Sequence, residues 1–173
     1  MNKNVPNLVL LLTMMMIFMS ACSSLRKADD SYSYRKSPNT SKSTKVTALR
    51  KDITTYAKKY KGARYKYGGN GPKSFDCSGF TSHVLKKFDV PISRTSNTQA
   101  KEGRKISLRS AKPGDLIFFG KGRKVSHVAL VTQNTKSGVF VIHSTSSRGV
   151  IEENVSNSSY WKSRLLFVRD VID

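Results

Sequence analysis

The sequence predicts an α+β fold, with N-terminal helices packed on an antiparallel sheet of about five to six strands. Two observations carry this. Apolar residues recur at helical spacing over 46–60 and again over 77–88. From residue 113 onward the pattern changes to short apolar runs of strand character, set off by turn residues. Helices first and strands second is the α+β order. The chain has 173 residues, enough for one ordinary domain with tails and one continuous core.

Residues 1–21 read as an export signal. Lys3 supplies a positive start, and residues 8–19 are apolar apart from Thr13. That run falls short of the roughly 20 residues needed to cross a bilayer. Met19-Ser20-Ala21-Cys22 follows and resembles a bacterial lipoprotein signal, with Met19 in place of the commoner Leu. The expectation is lipidation at Cys22 and a protein held to a membrane on its periplasmic side, the outer membrane if the envelope is Gram-negative. Residues 22–45 are rich in Ser, Lys, Arg, Asn and Thr and cannot bury enough apolar surface to order themselves, so they read as a tether. The folded domain is expected over 46–173.

Within the domain, Val46, Leu49, Ile53, Tyr56 and Tyr60 mark a helix stopped by Gly62. Residues 65–72 form a Gly-rich loop. Residues 77–88 predict a second helix with Phe80, Val84 and Leu85 on one face and Lys86-Lys87 at its end, where cations suit the dipole. A short helix over 95–102 closes at Gly103. Pro113-Gly114-Asp115 makes a turn. Strands are expected over 116–119, 125–131, 139–144, 149–152 and 165–169.

Lys and Arg number 31 against 11 Asp and Glu, a net charge of +20. Such an excess favours polyanions: nucleic acid, acidic lipid headgroups or an anionic wall polymer. The cations are scattered, and no zinc-finger, helix-turn-helix or RRM signature is present, so nucleic acid is not the expected partner. The two cysteines and three histidines lack metal-ligand spacing, and no metal or cofactor is expected.

The chemistry lies in one cysteine and two histidines. At the start of the second helix, Cys77 sits among free N–H groups at the positive end of the dipole, where a thiol's pKa falls when a cationic partner is near. Small Ser78 and Gly79 leave that helix start accessible, and the Cys77 N–H can face a developing oxyanion. His127, Ala129 and Val131 share one strand face, as do Val139, Val141 and His143. A regular hairpin centred on Thr135 would set His127 directly opposite His143. Ser126, Ser144 and Thr145 suggest a solvated edge around them. His83, two turns into its helix, reads as structural or exposed. A thiol followed in the chain by a base and its orienting partner points to acyl transfer through a thioester.

Six segments in order make the resemblance specific: Tyr65-Lys66-Tyr67-Gly68-Gly69, Phe75-Asp76-Cys77-Ser78-Gly79-Phe80, Arg94-Thr95-Ser96, Pro113-Gly114-Asp115-Leu116-Ile117-Phe118-Phe119, Ser126-His127-Val128-Ala129 and Ile142-His143-Ser144. Residues 46–173 resemble the NlpC/p-sixty family of bacterial cell-wall cysteine peptidases. The resemblance implies a papain-like fold, no cofactor, and hydrolysis of peptide bonds in peptidoglycan stems, at a γ-D-glutamyl-diamino acid bond or a cross-link. It implies Cys77 as nucleophile, His127 as general base and His143 as the residue orienting His127. Tyr65 matches a tyrosine of the oxyanion site. Asp76 matches an acidic residue that holds the free amine of the stem, with Ser78 beside it. Tyr67 stands where many members have Trp, a change expected to preserve packing. The expected state is a monomer. The rival readings are a non-catalytic basic wall-binding lipoprotein, which need not retain three matched polar residues, and an amidase or acyltransferase on the same scaffold.

Overall fold

The computed structural model describes residues 41–172. The expected export signal, Cys22 and the expected tether up to residue 40 lie outside the described residues. Helix α1, Lys42–Lys58, starts four residues earlier than its apolar period suggests. Ser41 caps it, its side chain accepting the Thr44 N–H. The first turn carries no apolar residue at a periodic position, so periodicity alone cannot see it. Two short strands follow, β1 (Arg64–Tyr65) and β2 (Ser74–Phe75), paired in parallel. Helix α2 spans Cys77–Lys86 and helix α3 spans Ser96–Gln99.

The remaining strands are β3 (Arg104–Ile106), β4 (Leu116–Lys121), β5 (Lys124–Thr135), β6 (Gly138–Thr145), β7 (Gly149–Asn154) and β8 (Leu165–Asp170). Helix α4, Ser159–Lys162, sits between the last two. The six strands form one antiparallel sheet in the order β3-β8-β4-β5-β6-β7. The three-residue edge strand β3 has no alternating apolar pattern, so the sequence carries no periodic signal for it.

Both faces of the sheet are covered. On one, Ile53 of α1 and Phe80, Val84 and Leu85 of α2 pack on Leu116, Phe118, Val128, Leu130 and Ile142. On the other, Ile117, Phe119, Ala129, Val131, Val141 and Val168 pack with Trp161 of α4. Burial on both sides explains the near-continuous apolar run in the middle of β5.

A buried ion network fastens α1 to the sheet. Arg50 reaches Asp115 at 2.6 Å and Asp170 at 2.8 Å, and its guanidinium also donates to the Pro113 carbonyl. Burial pushes the Asp115 carboxyl up to about 6, against the pull of the Lys112 N–H and Arg50. On the same face Glu152 meets Lys58 at 2.9 Å. Tyr67 is 90 % exposed, so the expected packing at that position is absent.

Candidate active site

Cys77 is set in place by its neighbours in the chain. The Asp76 carboxylate caps α2, accepting the Gly79 N–H at 2.7 Å. The Asp76 N–H donates to the Gly69 carbonyl, and Arg94 donates to that carbonyl as well. A Cβ at Gly79 would fall 2.0 Å from the Gly69 oxygen, so only glycine lets the helix start this close to the loop. The Cys77 residue is half-buried. Burial pushes the thiol up, with the Asp76 charge adding to it, while N–H groups of Val128, Ser78 and Cys77 itself pull it down. Burial prevails, so the lowered thiol pKa expected from the helix start is not found.

His127 owes its aim to an irregular edge of β5. Phe119 pairs with His127 and Gly120 with Val125, a bulge that leaves Ser126 as the extra residue. Gly120 is obligatory there, since a Cβ would meet the Lys124 carbonyl oxygen at 1.9 Å.

A second irregularity, between Val131 and Gln133, shifts the β5–β6 register. Leu130 pairs with Ile142 and Val131 with Val141, so His127 and His143 are diagonal neighbours and not the directly opposed pair expected from a regular hairpin. Their faces are nonetheless shared, and His127 Nε2 lies 2.9 Å from His143 Nδ1. The expected solvated edge holds only at Ser126. Ser144 and Thr145 are buried, His143 is fully so, and Ser144 donates to the Phe75 carbonyl at 2.8 Å.

Behind the histidines stand two residues that sequence reasoning missed. Glu153 Oε1 lies 2.9 Å from His143 Nε2 and accepts from Trp161 Nε1 at 2.9 Å. Arg148 donates to both of its oxygens, at 2.9 and 3.0 Å. The Trp161 ring stacks on His127 with centroids 4.9 Å apart and planes 27° apart. The available signal for Glu153 was strand alternation: along β7 it shares a face with Ile151, the residue paired with His143. No such local signal marks Trp161.

The electrostatics follow from this burial. Enclosure and the adjacent His143 push the His127 imidazole down to about 3, opposed by the Glu153 charge. The His143 hydrogen bond is foremost in drawing the Glu153 carboxyl down to about 2, helped by Arg148 and Trp161 against desolvation. At neutral pH Cys77 and His127 therefore rest as thiol and neutral imidazole.

Cys77, His127 and Tyr65 line one cavity of about 600 Å³. Lys121, Arg148 and Arg164 give its wall a positive character, and Ser126, Ser146, Ser147 and Ser158 supply hydroxyls. Burial, with the Asp76 charge nearby, raises the Tyr65 phenol, which keeps its proton and can donate it in a hydrogen bond. Asp76, Ser78 and His143 are not among the lining residues. The Asp76 carboxylate is gripped by Arg94 at 2.7 and 3.0 Å and by the Ser78 hydroxyl. His83 bonds to the Tyr60 hydroxyl at 2.8 Å and stays apart from the cavity, a structural role. Among the described residues no group of three His, Cys, Asp or Glu side chains is arranged to hold a metal, and no helix is long and apolar enough to cross a membrane.

Comparison with known proteins converges on one family. A model described as the NlpC/P60 family matches residues 62–170. A probable endopeptidase p60 of Listeria welshimeri is 39 % identical over 113 residues, 65 % of this chain and 21 % of that protein. A gamma-DL-glutamyl hydrolase of Bacillus subtilis is 38 % identical over 124 residues, 69 % of this chain and 29 % of that protein. This chain thus spans less than a third of the length of either relative. The crystal structure of an NlpC/P60 family protein from Bacillus cereus superposes with a TM-score of 0.66 at 27 % identity, covering 72 % of this chain and 40 % of that one.

Proposed function

This chain belongs to the NlpC/P60 family, and on that premise we propose that it is a lipid-anchored cysteine endopeptidase of the cell wall. Its substrate is a peptidoglycan stem peptide, cut at a γ-D-glutamyl-diamino acid bond or at a cross-link. The observation that carries the reading is the shared cavity of Cys77 and His127, with His143 hydrogen-bonded behind the base. A purely wall-binding protein has no need of a thiol and an oriented imidazole facing one cleft. The similarity to a gamma-DL-glutamyl hydrolase of Bacillus subtilis favours the γ-glutamyl bond.

In this reading Cys77 Sγ attacks the scissile carbonyl carbon while His127 takes the thiol proton. The Cys77 N–H and the Tyr65 hydroxyl face the oxyanion. His127 returns its proton to the leaving amine, and water, deprotonated by the same imidazole, resolves the thioester. Because base and nucleophile rest neutral, proton transfer accompanies attack. The net charge of +20 suits residence against anionic wall polymer, and Cys22 is the site of lipidation.

Digestion of purified peptidoglycan with the protein, followed by mass spectrometry of the released muropeptides, tests the proposal. The expected result is a new amino terminus on the diamino acid, absent with Cys77→Ala and with His127→Ala. Intact stems after wild-type digestion, or equal products from Cys77→Ala, would overturn it. Incorporation of labelled fatty acid into the wild type but not into Cys22→Ser tests the anchor.

A further inference from the structure

The hydrogen bonds behind His127 form a directed chain. An ionised carboxylate only accepts, so the proton between Glu153 and His143 belongs to His143 Nε2. A singly protonated His143 ring then presents Nδ1 as an acceptor. His127, 2.9 Å away, must donate to it from Nε2. That leaves the lone pair of His127 on Nδ1, the nitrogen not committed to His143, on a ring that lines the cavity shared with Cys77. Reversing the first proton would reverse both tautomers and remove the base.

We infer that Glu153 is a positioning residue of the reaction, fixing through His143 the tautomer in which His127 Nδ1 can accept the Cys77 proton. Its charge also steadies the imidazolium formed as His127 takes that proton. Arg148 tunes this effect. Its guanidinium, 55 % exposed at the cavity wall, holds both carboxylate oxygens and offsets part of their charge. Trp161 closes the assembly by donating to Glu153 while stacking on His127. The inference rests on the proposed function for its reaction, but the tautomer is a property of the resting protein.

The charged and titratable groups around His127 are Cys77 and Tyr65 on the α2 side, Lys121 of β4, His143 of β6, Arg148 and Glu153 at β7, and Tyr160 and Arg164 beside α4. Glu153 is the carboxylate among them, so its removal and the removal of Arg148 should act on His127 in opposite directions. Removing the negative charge lowers the pKa of the base, and removing its cationic partner raises it.

The test combines nitrogen spectroscopy with pH profiles. Long-range proton–nitrogen correlation of the histidine-labelled protein reads tautomers directly, and three histidines make assignment tractable. Wild type should show both His127 and His143 protonated on Nε2. In Glu153→Leu the His127 proton should redistribute toward Nδ1, with kcat/KM on peptidoglycan falling about 100-fold, the lower end of what a general base contributes. Glu153→Gln keeps the shape and the acceptor, so it should lose only about 10-fold while the acid limb of kcat/KM moves to lower pH. Arg148→Gln should move that limb to higher pH. An unchanged His127 tautomer in Glu153→Leu, or an acid limb that stays in place in both glutamine variants, would overturn the inference. If Glu153→Leu does not fold, the two glutamine variants decide it. If the wild type fails to hydrolyse peptidoglycan, the proposed function fails, while the tautomer spectra still decide the role of Glu153.

Discussion

Replacing Asp76 separates two roles open to a carboxylate beside Cys77. As a substrate ligand it would meet the free amine of a stem peptide. As a structural group it would hold the start of α2, and the geometry favours this. Its oxygens accept from the Gly79 N–H, the Ser78 hydroxyl and both terminal nitrogens of Arg94, and it does not line the cavity. Burial alone would raise the Asp76 carboxyl, but these bonds, Arg94 foremost, hold it below its ordinary value.

Asp76→Asn keeps a good cap and loses the charge. With the Asp76 side chain 12 % exposed and that of Arg94 35 %, the lost pairing is screened in part, and a cost of about 1–2 kcal/mol is expected. Asp76→Ala also loses the cap, adding about 1 kcal/mol. For a domain of this size each kcal/mol moves Tm by about 3–5 °C. A carboxyl with a depressed folded pKa stabilises above its unfolded pKa, about 3.9, and that contribution fades as pH falls through the folded value. The Tm gap between wild type and Asp76→Asn should therefore be full at pH 7 and shrink below pH 4. Thermal melts across pH measure this, alongside kcat/KM on matched free-amine and N-acylated stem peptides, which should fall by equal factors. An unchanged Tm with loss confined to the free-amine peptides would refute the structural reading and restore Asp76 as a substrate ligand.

Three further outcomes are expected. Alkylation of Cys77 by iodoacetamide, followed by peptide mapping to separate it from Cys22, should slow steadily from pH 9 to pH 5, because burial holds the thiol protonated; a rate that is flat down to pH 5 would mean a preformed thiolate–imidazolium pair. Gly79→Ala should cost about 3 kcal/mol or more in chemical denaturation, because the added Cβ meets a backbone oxygen at 2.0 Å that has little room to retreat; a wild-type midpoint would show that α2 can shift. Arg50→Ala should cost about 3–5 kcal/mol by leaving the buried Asp115 carboxylate without its cation, while Asp170 keeps Arg104, with a smaller loss at pH 5 than at pH 8, because Asp115 then takes up a proton; a loss independent of pH would place the strain elsewhere.

Local pattern determined a great deal of this protein. Apolar periods located α1 and α2, alternation placed His127 and His143 on one face, and the Cys77 helix start was legible from its small, polar neighbours. These features depend on residues close in the chain, where backbone geometry translates sequence spacing directly into direction. The first turn of α1 and the edge strand β3 escaped because neither carries an apolar rhythm.

Only the tertiary structure decided how the parts meet. The β5–β6 hairpin turns at residues 136–137 and not at Thr135, and with the bulge between Val131 and Gln133 this leaves the two histidines diagonal instead of opposed; neither the turn position nor a bulge alters the apolar pattern that flanks it. Arg50 joins residues 65 and 120 positions away, a separation with no local trace. The adjacent Glu152 and Glu153 look alike in the sequence, yet β7 sends one to the lysines of the α1 side and the other to His143. Thiol and imidazole remain neutral for the same reason: desolvation is set by everything packed around a group, and the chain does not display that packing until it has folded.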